Sequence, residues 1–137
     1  MPKPKTPLLT VDAVILYNSK DIILIRRKNP PFQGDLALPG GFVDIGETVE
    51  NACIREAQEE TNLKVKITKL IGIFSDPKRD PRGHTVTIAF LCEPVDKRRK
   101  LKAQDDAADV EIVPLIEIPK LKLAFDHMEI IKAANIL

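Results

Sequence analysis

The chain has 137 residues, 44% of them apolar and 30% charged, with a net charge of +1, the make-up of one globular domain with room for a single core. So small a charge argues against a strongly basic face for long nucleic acids, although a local patch stays open. No apolar run approaches the roughly 18 residues a membrane span needs. Prolines stand at positions 2 and 4, where a secretory signal would place its hydrophobic stretch. Cys53 and Cys92 show no paired spacing, so buried free thiols are expected. Together these features predict an intracellular, cytoplasmic protein without a membrane partner, one domain over 1–137 whose first seven or so residues form a flexible arm.

Thr10 to Tyr17 and Ile22 to Ile25 are β-branched runs separated by Asn18-Ser19-Lys20-Asp21, which is turn chemistry and predicts a hairpin. Asn29 to Gly34 is a loop by its prolines and glycine, leading through a short strand near Ala37-Leu38 into a Pro39-Gly40-Gly41 turn. A helix is predicted from about Thr48 to Asn62. Lys64 to Phe74 and His84 to Cys92 follow as strands, the second with Val86, Ile88, Phe90 and Cys92 on one side. Between them, Ser75 to Gly83 is too polar and proline-rich for core. The Lys97-Arg98-Arg99-Lys100 run reads as an exposed hairpin loop, having no interleaved aromatic to suggest nucleic acid. Val110 to Ile116 is a strand candidate interrupted by Pro114. The last element is a helix with Asp126 as N-cap, Glu129 at N3, and an apolar stripe of Met128, Ile130, Ile131 and Ala134. His127 is expected at the surface or in a dimer contact.

Chemistry concentrates in the first helix. At about 100° per residue, Glu56, Glu59 and Glu60 share one face, where like charges repel by a few tenths of a kcal/mol per pair. A hard divalent cation such as Mg²⁺ reverses that penalty. Arg55, one turn before Glu59, can pair with it, and Glu47 can hold the guanidinium from the other side. Taken alone, Glu-x-x-Glu-Glu is more often a solvated acidic helix face than a metal site.

The wider pattern carries more information. Gly41, five residues, Glu47, seven residues, then Arg55-Glu56-Ala57-Gln58-Glu59-Glu60, led in by Leu38-Pro39-Gly40, resembles the Nudix box, a signature of hydrolases acting on nucleoside diphosphates linked to another moiety. One position departs. Asn62 stands where the family has Gly, and both residues tolerate the left-handed conformation that closes a helix.

The resemblance implies an α/β (α+β) Nudix fold, a mixed β-sheet sandwiched between α-helices. It also implies Mg²⁺ as cofactor, with Mn²⁺ as an alternative. Glu56 and Glu60 would ligate the metal, Glu59 would join them or act through water, and Gly40 would offer its carbonyl beside Gly41. Arg55 and Glu47 would be supporting residues. The general base would be a box glutamate or an acid on a later loop, for which Asp106 of the Asp105-Asp106 pair is the candidate. The stretch 75–86, with Asp105-Asp106-Ala107 and Ala124 to His127, is similar to Nudix enzymes that are ADP-ribose pyrophosphatases. ADP-ribose, cleaved to AMP and ribose 5-phosphate, is therefore the expected substrate. Two alternatives are an oxidised nucleoside triphosphate and a non-catalytic ADP-ribose or nucleotide sensor. Arg82, Arg79 and His84 either meet the phosphates or solvate a loop. Arg26 and Arg27 both leave the hairpin near the turn, and alternation lets only one face inward; Arg26 is taken as the substrate ligand, with Gly41. Phe32 or Phe42 could stack on adenine, against a core role. The apolar tail Ile136-Leu137 is compatible with a homodimer.

Overall fold

The computed structural model describes residues 2–96 and 107–137. The expected exposed loop at Lys97–Lys100 and the candidate acid Asp106 lie outside the described residues. Residues 2–7 lie exposed ahead of β1.

The predicted hairpin forms from β1 (Leu8–Asn18) and β2 (Asp21–Arg27). Its turn is closed by Asn18, whose side chain donates to Asp21 at 2.8 Å and accepts the Lys20 N–H at 2.8 Å. Two short strands, β3 (Leu36–Ala37) and β4 (Gly40–Phe42), flank the Pro39 turn. They are followed by helix α1 (Val49–Thr61), β5 (Val65–Phe74), β6 (Thr85–Pro94) and β7 (Ala107–Pro114). The predicted Val110–Ile116 strand ends at Pro114. Leu115–Lys120 instead turns into a 3₁₀ helix, because prolines at 114 and 119 deny the strand its donors. Helix α2 (His127–Ala133) closes the described fold. None of the described helices is long and apolar enough to cross a membrane.

The strands make a mixed sheet in the order β3-β2-β1-β6-β5, with β4 added on β1 and β7 on β2. β1 runs parallel to β6 from Leu8↔Thr85 to Ile15↔Cys92, and antiparallel to β4 with Asp12 opposite Gly40. Strand alternation then divides the core between two faces. Val11, Ala13 and Ile15 pack with Ala52, Cys53 and Ala57 of α1. Val14, Ile22 and Leu24 pack with Ile130 and Ile131 of α2. Each fully buried isoleucine contributes roughly 2 kcal/mol. One helix on each face is the predicted sandwich.

Helix α1 begins where the sequence says it should. Thr48, extended at φ −73°, ψ 155°, accepts the Asn51 N–H on its hydroxyl at 3.1 Å. It ends on Asn62 at φ 64°, the left-handed conformation expected of the Asn that replaces Gly. Alanines on its inner face let the helix sit close to the sheet. Cys53 and Cys92 are buried and free as expected, with their sulfurs 3.8 Å apart. The hydrogen bond to Cys92, then burial, pushes the Cys53 thiol pKa up.

Candidate active site

Arg55 organises the box. Its Nε and Nη2 donate to the two oxygens of Glu47 at 2.7 and 2.9 Å, Nη1 reaches Glu56 at 2.8 Å and Glu59 at 3.1 Å, and Nη2 also donates to the Phe42 carbonyl at 3.0 Å. A planar five-donor fork suits this task and an ammonium would not. The Arg55 hydrogen bond, aided by the Asp44 backbone N–H, holds the Glu47 carboxyl down at about 2. In return Glu47, followed by Glu56, pushes the guanidinium pKa further above its usual value. One arginine thus ties the strand β4, the turn after it and two turns of α1 into a single rigid unit.

Above this unit lies a cleft of about 300 Å³. Glu56 and Glu60 line it from α1, facing Gly40 and Gly41 of β4. The approach is close: a Cβ on Gly41 would stand 2.5 Å from the Glu56 carboxyl carbon. Glu60 is only 4% exposed, an unusual setting for a carboxylate unless something compensates its charge. Glu59, the third glutamate of the predicted face, does not line the cleft; its side chain is 43% exposed and accepts from Arg55 Nη1 at 3.1 Å. Among the described residues, no three His, Cys, Asp or Glu side chains gather tightly enough to hold a metal by themselves. Two carboxylates and a backbone carbonyl nevertheless fit Mg²⁺, which takes few protein ligands and completes its shell with water and phosphate oxygen.

The opposite wall comes from the 75–83 loop and the start of α2. Arg79, its side chain 6% exposed, grips Asp126 through Nε at 2.8 Å and Nη2 at 2.6 Å, and donates to Thr87 at 2.6 Å. Arg82 lines the cleft and pairs with Asp80 at 2.8 Å. Burial opposes ionisation of Asp80, but the Arg82 side-chain and backbone donors outweigh it and keep the carboxyl below its usual range. The Arg82 guanidinium sits 5.4 Å from the Phe125 ring and 5.9 Å from Phe42, within cation–π reach.

Of the substrate residues expected from sequence, Arg82 and Gly41 line the cleft. Arg26 and His84 stand outside it: Arg26 is taken up by Glu111 at 2.7 Å and the Gly34 carbonyl at 2.8 Å, and His84 contacts the Ser75 carbonyl at 3.0 Å. Alternation turns Arg27 inward instead, stacked 4.9 Å from the Phe125 ring. Phe32 packs edge-on against Phe125 at 4.8 Å, while Phe42 is 44% exposed at the cleft.

Two expectations need correction. Asp126 precedes α2 but makes no side-chain capping bond, because Arg79 occupies both its oxygens. His127 is buried, not superficial: Nδ1 accepts the Leu38 N–H at 2.9 Å and Nε2 lies 3.3 Å from Asp12. Asp12 itself went unnoticed in the sequence. Its signal was there, a lone acid inside the apolar run Val11 to Leu16, which burial makes costly unless it is partnered.

Comparison with known proteins agrees with this geometry. The NUDIX domain family matches residues 6–134. The ADP-ribose pyrophosphatase of Methanocaldococcus jannaschii is 51% identical over 126 residues, covering 92% of this chain and 72% of that protein. The ADPR responsive transcriptional repressor NtrR of Acinetobacter baylyi is 36% identical over 135 residues; the chain spans about half of it, 53%. Among solved structures, the NUDIX domain of Shewanella oneidensis NrtR complexed with ADP ribose superposes with a TM-score of 0.82 at 31% identity, covering 95% of this chain and 87% of that one. With the box, the sandwich and these relatives in agreement, the chain belongs to the NUDIX domain family.

Proposed function

We propose that the protein is a divalent-metal-dependent pyrophosphohydrolase that splits ADP-ribose into AMP and ribose 5-phosphate. The observation that carries this is the convergence of Glu56 and Glu60 on Gly40 and Gly41 in one cleft, beside an Arg55 already locked by Glu47. The 51% identical pyrophosphatase supports the choice of substrate.

Mg²⁺, or Mn²⁺ in its place, supplies charge neutralisation on the diphosphate when bound. The chain provides the rest. Glu56, Glu60 and the Gly40 carbonyl would hold the cation, with Glu59 joining them or acting through water. Arg55 fixes the Glu56 rotamer, so the site pays little reorganisation when substrate arrives. Arg82 and Arg27 bring positive charge to the diphosphate from the other side of the cleft. Water attacks one phosphorus and the bridging P–O bond breaks with its electron pair leaving on the departing phosphate, while the water's proton passes to a box glutamate or to Asp106. The free buried thiols suit a reducing, cytoplasmic setting. Exposed Leu70, Ile73 and Leu137 supply apolar surface for a homodimer.

Incubation with ADP-ribose and Mg²⁺ followed by product analysis tests the reading, and absence of AMP refutes it. A panel that includes oxidised nucleoside triphosphates ranks substrates by kcat/KM. Likeness to a repressor and to an ADP-ribose-bound domain favours a second reading, a sensor. Saturable ADP-ribose binding without turnover at any metal concentration would select it.

A further inference from the structure

The strand-to-turn segment that delivers Gly40 is held by a device the box does not include. Leu38 stands one residue beyond β3, where ladder bonding has stopped. Its N–H is buried and needs an acceptor, since an unmet buried donor costs about 1–3 kcal/mol. His127 provides it: Nδ1 accepts that N–H at 2.9 Å. A nitrogen that accepts there carries no proton, so in the neutral ring the proton sits on Nε2. Nε2 lies 3.3 Å from Asp12 Oδ2. Asp12 is paired across the sheet with Gly40, and a Cβ on Gly40 would collide with the other Asp12 oxygen and the Val11 carbonyl. His127 is 5% exposed and Asp12 7%, so water competes little with either contact. Arg79, bound through both oxygens of the adjacent Asp126, anchors the start of α2 from which the ring projects.

We infer that His127 and Asp12 are positioning residues for the metal site, clamping Leu38-Pro39-Gly40 at both ends so that the Gly40 carbonyl meets the cation. This rests on the metal-dependent reading above. It differs from a plain core role in one respect: the acceptor on Leu38 and the carboxylate beside Gly40 must set metal affinity, and not only stability.

The test is a Mn²⁺ titration of the full chain without substrate, followed by calorimetry or by the spin resonance of free Mn²⁺, with folding checked by thermal melts. In His127→Asn the amide oxygen takes the place of Nδ1 and still accepts from Leu38. In His127→Gln the amide reaches toward Asp12 and leaves Leu38 unmet. By the usual weight of groups that orient metal ligands, His127→Gln should weaken Mn²⁺ binding roughly tenfold, and His127→Asn should stay within about threefold of the parent. Hydrolysis by His127→Gln should recover with raised Mg²⁺, at an unchanged KM for ADP-ribose once metal saturates. Asp12→Ala keeps the backbone pairing with Gly40 but removes the carboxylate that holds His127 Nε2 and fills the space beside Gly40, and should also cost about tenfold; it carries the test if His127→Gln does not fold. Equal Mn²⁺ affinity in the parent, His127→Gln and Asp12→Ala overturns the inference alone, as does an equal loss in His127→Asn and His127→Gln. No Mn²⁺ binding by the parent overturns the metal reading and the inference together.

Discussion

Gly41→Ala isolates the geometry of the box from its stability. Gly41 does not adopt a left-handed φ, so alanine suits its backbone. The new methyl would nevertheless stand 2.5 Å from the Glu56 carboxyl carbon and 2.6 Å from both its oxygens. Carbon atoms prefer about 3.5 Å or more, so the carboxylate must retreat by about 1 Å. A displacement of that size at reacting groups costs about 10²-fold in rate, which is about 2.7 kcal/mol of barrier. Stability should change much less. Glu56 loses its 2.8 Å bond from Arg55, worth about 1 kcal/mol, and removal of a glycine from the unfolded chain returns about 0.4–1 kcal/mol. Steady-state hydrolysis of ADP-ribose across a Mg²⁺ series, beside a thermal melt, reads both quantities. Gly34→Ala is the control: Gly34 has φ +86° and open space around it, so it should lose about 1 kcal/mol of stability and keep its kcat. Parental kcat and Mg²⁺ dependence in Gly41→Ala would refute the placement of Glu56 in the site.

The remaining predictions address the supporting groups. Glu47 is depressed to about 2 from its unperturbed 4.5, so the stability it lends is complete above about pH 4.5 and is lost as pH falls through about 2. The melting temperature of Glu47→Gln should therefore lie below the parent's at pH 6, and the gap should close toward pH 2. Glu60→Gln keeps the side chain's size and removes its charge from the cleft, so hydrolysis should fall by about 10²-fold or more; parental kcat would contradict this account of Glu60. Arg79→Ala strands Asp126 and should cost about 3 kcal/mol, a drop in melting temperature on the order of 10 °C. Cys53 and Cys92 should resist a thiol reagent until the protein unfolds, because both are buried and the Cys53 pKa is pushed up.

What the sequence disclosed and what it concealed divide along one physical line. Helix α1, the Asn62 closure and the Arg55–Glu47 pair involve neighbours within a few turns of chain, where spacing fixes geometry. The two-sided core was legible for the same reason, since alternation along β1 and β2 assigns Val11 to one face and Val14 to the other. Arg26 and Arg27 mark the edge of that logic. Alternation said that one must point inward, but only the pairing of β2 with β7, which brings Glu111 to Arg26, decides which. Beyond that edge lie contacts created by topology. The parallel seam of β1 against β6 places Thr10 beside Thr87 at 2.6 Å, and the return of α2 brings His127 to Asp12 and Leu38. No local pattern announces such meetings, yet each leaves a trace in composition: an acid in an apolar strand, or a histidine next to an aspartate at a helix start. Asp126 was misjudged because a capping motif describes only what the residue can do locally. A buried arginine from another loop offered its carboxylate two charge-assisted bonds, and two such bonds outweigh one exposed cap. The box thus specifies which groups can grip a cation, while residues outside it, brought together by strand order, determine how firmly those groups are held.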